Sequence, residues 1–582
     1  MMMNKKWLIK EQPNGVQVEK LRKELGVSEV VACMLVQRGI DTFEAAESFF
    51  RGTLDELHDP FLMKDMDRAV NRINRALKDN EKILIYGDYD VDGTTAVSLV
   101  YSYLSNFSNQ LDYYIPDRYT EGYGVSSQGI EYAKENGFTL IITLDCGIKA
   151  NENVDLSNSY GIDVIICDHH TPGDELPKAI VLDPKRVDCE YPYKELSGCG
   201  VGFKLMQALA QLNDWDVAEL FENLDLLAIS IGADIVPVTG ENRILTQLGL
   251  KQINESKLPR HGLEIMLNLA KKEKPLTLTD VVFTIAPRIN AAGRMKDAKM
   301  AVELLTSDDK KKVREIAKEI QDLNDTRKEL DKTITEEALE IIQNDSSFKN
   351  KHTTVVYQSD WHKGVLGIVS SRLIEKHYRP TIVLTNDGDS DLITGSARSV
   401  KDINVYEAIK DCEQDLEKFG GHVAAAGLTL KKDNLKSFIT NFEKAVQKQV
   451  DPESLVPEII IEKELSFNDI FNLGESVYEV PRLLRILKEF EPHGPGNMKP
   501  RFIAKNVFAH EPRLLKGEHL KMKVFQPDFQ KYLNAIYFYA SEMLSIVEKG
   551  PFDIVFTLEI NEFKGKSTPQ LMIKDLRKTS IL

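Results

Sequence analysis

The stretch KILIYGDYDVDGTTA (Lys82–Ala96) decides the fold. Its apolar run KILIY has the length and composition of a buried strand. It passes directly into Asp88, Asp90 and Asp92, spaced two apart and closed by Gly93. In an extended segment, residues at i, i+2 and i+4 point to one side, so three anions there repel unless a cation sits between them. Calcium in an EF-hand loop opens with the same D-x-D-x-D-G letters. That loop needs a bidentate Glu at its twelfth position, where this chain has Leu99, and the flanks read strand then helix (TTAVSLVYSYL) rather than helix and helix. The spacing therefore predicts a metal site at the carboxyl end of a strand in an α/β sheet.

Working outward, residues 61 to about 240 alternate apolar strands with helices. A helix MDRAVNRINRAL precedes the opening strand, and then come LDYYIP, SSQGIEYAKENG, TLIITLD and DVIICDHH. Such alternation predicts a mostly parallel sheet with helices on both faces, and ligands in these sheets gather beyond the carboxyl ends of the strands. Asp145 ends TLIIT-L, while Asp168, His169 and His170 end DVIIC; a further apolar run, LDLLAISIG, places Asp234 at its end. One pocket is expected to collect them. Adjacent histidines on a strand cannot face the same way, so one of His169 and His170 is expected to ligate and the other to orient or donate a proton. Taken singly, each strand-end Asp has an ordinary reading as a helix cap or turn residue; taken together they point to metal.

Oxygen and imidazole donors without thiolates suit Mg2+ or Mn2+, with Mn2+ favoured where His joins carboxylates. The set is large enough for two ions, and two cations about 4 Å apart activate a water and clamp the oxygens of an in-line displacement at phosphorus. Phosphoester hydrolysis is the leading reaction.

Length and composition bound the rest. A chain of 582 residues exceeds one core, and about three or four domains is the prior. It is 42% hydrophobic and 28% charged, and no apolar run approaches the roughly 18 residues that could span a bilayer. MMMNKKWLIKEQPNG lacks the apolar centre of a secretory signal, so a cytoplasmic location away from membranes is expected. Six cysteines without a C-x-x-C give neither a disulfide framework nor a zinc site, and Cys146 and Cys167 read as buried reduced thiols. The net charge of −16, taken alone, opposes a nucleic-acid partner, but residues 501–582 carry 13 Lys and Arg against 9 Asp and Glu. Bound divalent cations would offset part of the remaining negative charge, so net charge decides nothing.

Residues 1–60 read as a polar helical segment and 61–305 as the metal-bearing domain. Between 306 and 345, Val313, Ile316, Ile320, Leu323, Leu330, Ile334 and Ile341 fall at three-and-four spacing, predicting one long linking helix. A second α/β domain spans 346–452. The last segment, 453–582, alternates short strands such as HLKMKVFQ, YLNAIYFYA and FDIVFTLEI, as a small β-barrel does. The fold class is α/β, two α/β domains joined by a helix plus a terminal barrel.

GDYDVDGTTA, LDCG, VIICDHH and IGADIVP resemble the successive motifs of the DHH phosphoesterase superfamily, and GSARS (Gly395–Ser399) with GGHVAAAG (Gly420–Gly427) resembles its DHH-associated domain. PDRYTEGYGVS, SDWHKGVLGIVSSRL, FEPHGPGNMKP and the terminal GEHLKMKVF and LNAIYFY stretches are similar to the RecJ exonuclease family, whose carboxy-terminal OB-fold the small DHH enzymes lack. The resemblance covers nearly the whole chain. It implies a 5′ to 3′ exonuclease that hydrolyses single-stranded DNA to mononucleotides with Mn2+ or Mg2+, in DNA repair and recombination. It implies Asp88, Asp90, Asp92, Asp145, His169 and Asp234 as metal ligands and His170 with Asp168 beside the scissile phosphate. Arg118 is implied at the 5′ end, and Arg288, Ser396, Arg398 and His422 as phosphate contacts. Single-strand-binding protein and a helicase are the expected partners, and a monomer is the default expectation.

By the ordinary reading Arg118 and Arg288 make structural ion pairs, and GGHVAAAG packs small residues around His422. Of Tyr537, Phe538, Tyr539, Phe525 and Phe529, one or two are expected to stack on bases and the rest to fill the barrel. A cleft between the two α/β domains is expected to admit one strand and exclude a duplex. PHGPGN departs from the family's usual proline, phenylalanine and glycine order, which bears on linker packing alone. The chain stops soon after the barrel, so contacts made by a further domain of some relatives are expected to be absent. Two other readings stand beside this one. A DHH phosphodiesterase for short oligonucleotides or cyclic dinucleotides is disfavoured by a barrel that so small a substrate could not reach. A catalytically inactive single-strand-binding scaffold is disfavoured by the completeness of the motifs.

Overall fold

A computed structural model describes residues 4–255, 260–388, 390–451, 455–471 and 474–579. The chain forms two compact units, one of residues 10–323 with 461–582 and the other of residues 1–9 with 324–460.

The first unit begins with helices Gly15–Leu25, Glu29–Val36 and Phe43–Arg51. Its central sheet consists of β1 (Ile83–Gly87), β2 (Leu111–Tyr114), β3 (Leu140–Leu144), β4 (Asp163–Cys167) and β5 (Ile180–Leu182). All pairings are parallel, in the order β2-β1-β3-β4-β5. β1 and β3 are buried along their whole length, which is why they read as continuous apolar runs. The chain leaves β1 for β2 on one side and returns to β3 on the other, so the strand order reverses between β1 and β3, where open sheets of this kind bind ligands.

The register places the acids. Gly87 pairs Leu144, Leu144 pairs Cys167, and Cys167 pairs Leu182. Asp88, Asp145, Asp168 and Asp183 are the next residues on four adjacent strands, so four aspartates share one level beyond the sheet.

The same unit contains a closed barrel of β11 (Phe502–Leu515), β12 (His519–Gln526), β13 (Phe529–Tyr537), β14 (Phe552–Phe563) and β15 (Lys566–Lys578). The order β11-β12-β13-β15-β14 closes through β14 and β11, the connectivity of an OB-fold. Arg243 ties the segment before the barrel to the helix Gly240–Asn254, donating to the carbonyls of Phe490, Pro492, Glu489 and Glu491.

In the second unit, a mixed sheet runs β9 (Lys418–His422), β10 (Ala425–Lys431), β8 (Leu392–Arg398), β7 (Thr381–Asn386), β6 (Thr354–Tyr357). It is parallel only between β6 and β7. The predicted long helix is Lys310–Asn344, with Val313, Ile316, Ile320 and Ile334 buried, and the division between the units falls inside it. All six cysteines are free and buried. No helix among the described residues is long and apolar enough to cross a membrane.

Candidate active site

Asp88, Asp90 and Asp92 reach the site by a different route from the extended run read in the sequence. β1 stops at Gly87, Asp90 caps the helix Val91–Leu104 by accepting from the Gly93 amide at 3.1 Å, and Asp92 lies in that helix's first turn. A strand that becomes a helix abandons period-two geometry. Gly93 makes the join possible, because a Cβ there would fall 2.4 Å from the Asp88 carbonyl oxygen. The same holds for the two histidines. β4 ends at Cys167, so strand alternation does not govern His169 and His170, and both imidazoles approach Asp145.

His169 lies at the centre. Its Nε2 is 3.2 Å from Asp145 Oδ1, 3.5 Å from Asp234 Oδ2 and 3.8 Å from Asp92 Oδ2. Three groups place one donor atom from each member within 4.8 Å of the others: Asp88, Asp90 and Asp145; Asp92, His169 and Asp234; and Asp145, His169 and His170. Asp234 caps the carboxyl end of a helix, Leu224–Ala233. Asp145 takes a left-handed backbone, φ 60°, a conformation Asp adopts more readily than most residues with a Cβ. Gly198 packs on it so closely that a Cβ would lie 2.5 Å from the Asp145 Cβ.

Asp92 is held by the start of the helix Gly198–Asn213. Its oxygens accept from the amides of Gly198 (2.7 Å) and Cys199 (2.9 Å) and from Ser230 Oγ (2.6 Å). Asp168 is filled differently. One oxygen accepts from the amides of His169 and His170 and meets His170 Nδ1 at 2.8 Å, and the other accepts from the Ile148 amide. It orients the histidine loop, with both of its oxygens engaged by donors of this chain.

The electrostatics separate the two kinds of carboxyl. Burial, then the charge of neighbouring acids, pushes Asp88, Asp90 and Asp145 above the ordinary range and Asp234 up to about 8. Burial opposes ionisation of Asp168 too, but the His170 hydrogen bond holds it down at about 2. Burial lowers His169, whereas for His170 the Asp168 hydrogen bond overcomes burial and lifts it to about 9. Among the described residues, Asp88 Oδ1, Asp145 Oδ1 and both His169 nitrogens are buried without a hydrogen-bond partner. Orphaned acceptors in a pocket of crowded anions fit divalent cations.

Arg118 reaches this cluster. Its guanidinium lies 4.7 Å from the Tyr89 ring centre and its charge counters the burial of Asp88. Arg288 is buried, with Nε donating to Gln321 at 2.9 Å and Nη1 to the Thr284 carbonyl. In the second unit Arg398 Nη1 bonds Ser396 Oγ at 3.0 Å, and His422, Ala425 and Arg398 lie in line across β9, β10 and β8. His422 is exposed, so the small residues of GGHVAAAG do not enclose it.

On the barrel, Tyr537 and Phe529 face inward and belong to the core, while Phe538 and Tyr539 are exposed and Phe525 is half-buried. Sequence reading missed Tyr532, 49% exposed, whose ring lies 5.5 Å from Phe525 and 4.7 Å from His510. Lys523 and Lys521 follow along β12, opposite His510 and Arg513. It also missed Tyr123, whose hydroxyl is 3.3 Å from His170 Nε2, and Asp183. Asp183 carried a legible signal, the end of the apolar strand in AIVLD.

A doubly wound sheet ending in carboxylates and a DHH loop defines a phosphoesterase of the DHH class. The DHH family amino-terminal domain matches residues 82–231, the DHHA1 domain 350–448 and the RecJ OB domain 478–575. The chain is 38% identical over 576 residues to the single-stranded-DNA-specific exonuclease RecJ of Bacillus subtilis, covering 98% of this chain and 70% of that protein. It is 34% identical to the Escherichia coli RecJ, covering 93% and 95%. A crystal structure of Thermus thermophilus RecJ in complex with Mn2+ superposes with a TM-score of 0.84 at 26% identity, covering 99% of this chain and 80% of that one. The chain belongs to the family of RecJ single-stranded-DNA-specific exonucleases.

Proposed function

We propose that the protein degrades single-stranded DNA from the 5′ end, releasing mononucleotides by hydrolysis with two divalent cations, Mn2+ or Mg2+, in DNA repair and recombination. The observation that carries this reading is the His169 cluster, one imidazole nitrogen within 4 Å of carboxylates from three separate segments, with orphaned acceptors around it. Asp88, Asp90, Asp92, Asp145, His169 and Asp234 would hold the ions. When bound, divalent cations supply activation of the attacking water and neutralisation of charge at phosphorus.

The chain's own residues do the rest. Asp168 fixes the His170 ring through Nδ1, which leaves Nε2 to move a proton. Hydrolysis forms a bond from water oxygen to phosphorus and breaks the bond to the 3′ oxygen of the departing nucleotide. His170 Nε2 delivers the proton that this oxygen takes up, and the shortened strand keeps a 5′ phosphate. Arg118 binds the 5′ end, and Arg288, Ser396, Arg398 and His422 bind phosphates. The barrel face carrying Phe525, Tyr532, Lys521 and Lys523 holds trailing bases by stacking and backbone charge.

In this reading 61–305 is the catalytic domain, 346–452 the associated domain and 453–582 the nucleic-acid-binding domain of a cytoplasmic monomer that receives strands from a helicase and single-strand-binding protein. The test incubates purified protein and Mn2+ with a 5′-phosphorylated single strand labelled at its 3′ end, the same strand in blunt duplex, and a dinucleotide. Stepwise shortening of the single strand alone, lost in Asp90→Ala and His169→Ala, supports the exonuclease. Cleavage of the dinucleotide alone would move the assignment to a small phosphodiesterase.

A further inference from the structure

Resting on the exonuclease reading, we infer that Lys185 binds a phosphate of the strand seated at the carboxylate cluster, its ammonium donating to a non-bridging oxygen.

The residue stands two positions after Asp183, past the end of β5, in the stretch VLDPKR (Val181–Arg186). Asp183 and Pro184 build the turn that presents it. Asp183 is fully buried, and its Oδ1 accepts the Lys185 amide at 2.7 Å, while the proline ring fixes φ at the next position. The backbone of Lys185 is thereby set at the carboxyl end of the strand beside the histidine loop, since the Asp168 amide donates to the Leu182 carbonyl at 3.0 Å.

The side chain itself is loosely held. Nζ has one ion pair, to Glu195 Oε2 at 3.7 Å, too long for a hydrogen bond, and Glu195 is itself 44% exposed. Among the described residues nothing else takes its three donors. The backbone lies two residues past Asp183 beside the histidine loop, and the charge acts on Asp183, His169 and Asp234. A half-buried ammonium with vacant donors, beside anions that repel a phosphate, has the placement of a phosphate ligand. Were its role to neutralise the cluster, one of those carboxylates would lie within ion-pairing distance; among the described residues its ion pair is with Glu195, outside the cluster.

The test compares Lys185→Ala and Lys185→Arg with wild type on a 5′-phosphorylated single strand in Mn2+, and measures Mn2+ binding by calorimetry without DNA. Losing a charged hydrogen bond to phosphate lowers kcat/KM by roughly 10- to 100-fold in Lys185→Ala. The plot of log kcat/KM against log salt becomes shallower by about 0.7, the share of one single-strand phosphate contact. Mn2+ binds as tightly as before or more tightly, because a cation has left its neighbourhood, and Lys185→Arg recovers most of the rate. An unchanged kcat/KM and salt slope would overturn the inference. So would a lost rate accompanied by weaker Mn2+ binding and no recovery with arginine, the pattern of a residue that only supports the fold. A wild-type protein that degrades no single strand would instead overturn the functional reading on which the inference rests.

Discussion

Replacing Ser230 by alanine removes one donor from Asp92 without touching the cluster. The hydroxyl lies 2.6 Å from Asp92 Oδ1 and 2.6 Å from Ser197 Oγ, and Ser197 Oγ accepts the Gly200 amide at 3.1 Å. A carboxylate only accepts, so Ser230 must donate to Asp92 and take its own hydrogen bond from Ser197. Ser230→Ala breaks both links. Asp92 Oδ1 keeps the Cys199 amide and Oδ2 the Gly198 amide, so the carboxylate stays in place but is less firmly aimed. A hydrogen bond to a charged group is worth about 1.5–3 kcal/mol, and partners that orient a ligand change metal affinity by roughly 10- to 100-fold, which agree through about 1.4 kcal/mol per tenfold. Mn2+ titration by calorimetry is expected to show that loss, with thermal unfolding falling only slightly. An affinity within twofold of wild type, in a variant that unfolds normally, would refute the claim that Ser230 orients Asp92.

Without divalent cations, stability is expected to fall as pH rises from about 4 towards 8. Asp234 is held up to about 8 in the fold against about 3.9 when unfolded. A carboxyl with a raised folded pKa favours the fold while protonated and loses that contribution as it ionises; denaturant melts at several pH values check the slope, which Asp234→Asn should flatten. Gly198→Ala should cut the rate at least tenfold by pushing Asp145 aside, since its new Cβ would stand 2.5 Å from the Asp145 Cβ; steady-state kinetics beside a circular dichroism melt separates this from unfolding. Tyr532→Ala should weaken binding of a long single strand by roughly 5- to 100-fold, as expected for about 1–3 kcal/mol of stacking, and leave dinucleotide-length substrates unaffected in a fluorescence anisotropy assay.

What the sequence made legible followed from periodicity. The buried strands are continuous apolar runs and the long helix carries an apolar stripe at three-and-four spacing, so Ile83–Gly87, Leu140–Leu144 and Lys310–Asn344 stand out by pattern. The acids at strand ends were legible for the same reason. What failed was geometry beyond the strands. Past Gly87 and Cys167 the chain enters a helix cap and a loop, where period-two geometry no longer holds. The roles within the site were also hidden, because Asp168 and Asp145 are the same residue type at the same level. Three backbone amides and one imidazole occupy the first and leave the second open. Those donors come from turns, and no spacing announces them. Lys185 and Tyr123 were passed over because single polar residues in loops carry no pattern.

The shared level of Asp88, Asp145, Asp168 and Asp183 limits how this chain can change in evolution. A residue inserted within any of the four strands would move its aspartate about 3.3 Å outward and turn it to the opposite face, so a single-codon insertion there removes the acid from the pocket outright. The helical crossovers carry no such penalty, since length added in them leaves the strand ends where they were. Insertions and deletions among descendants of this sequence should therefore accumulate in the connections and be purged from the strands, even at strand positions far from the metals.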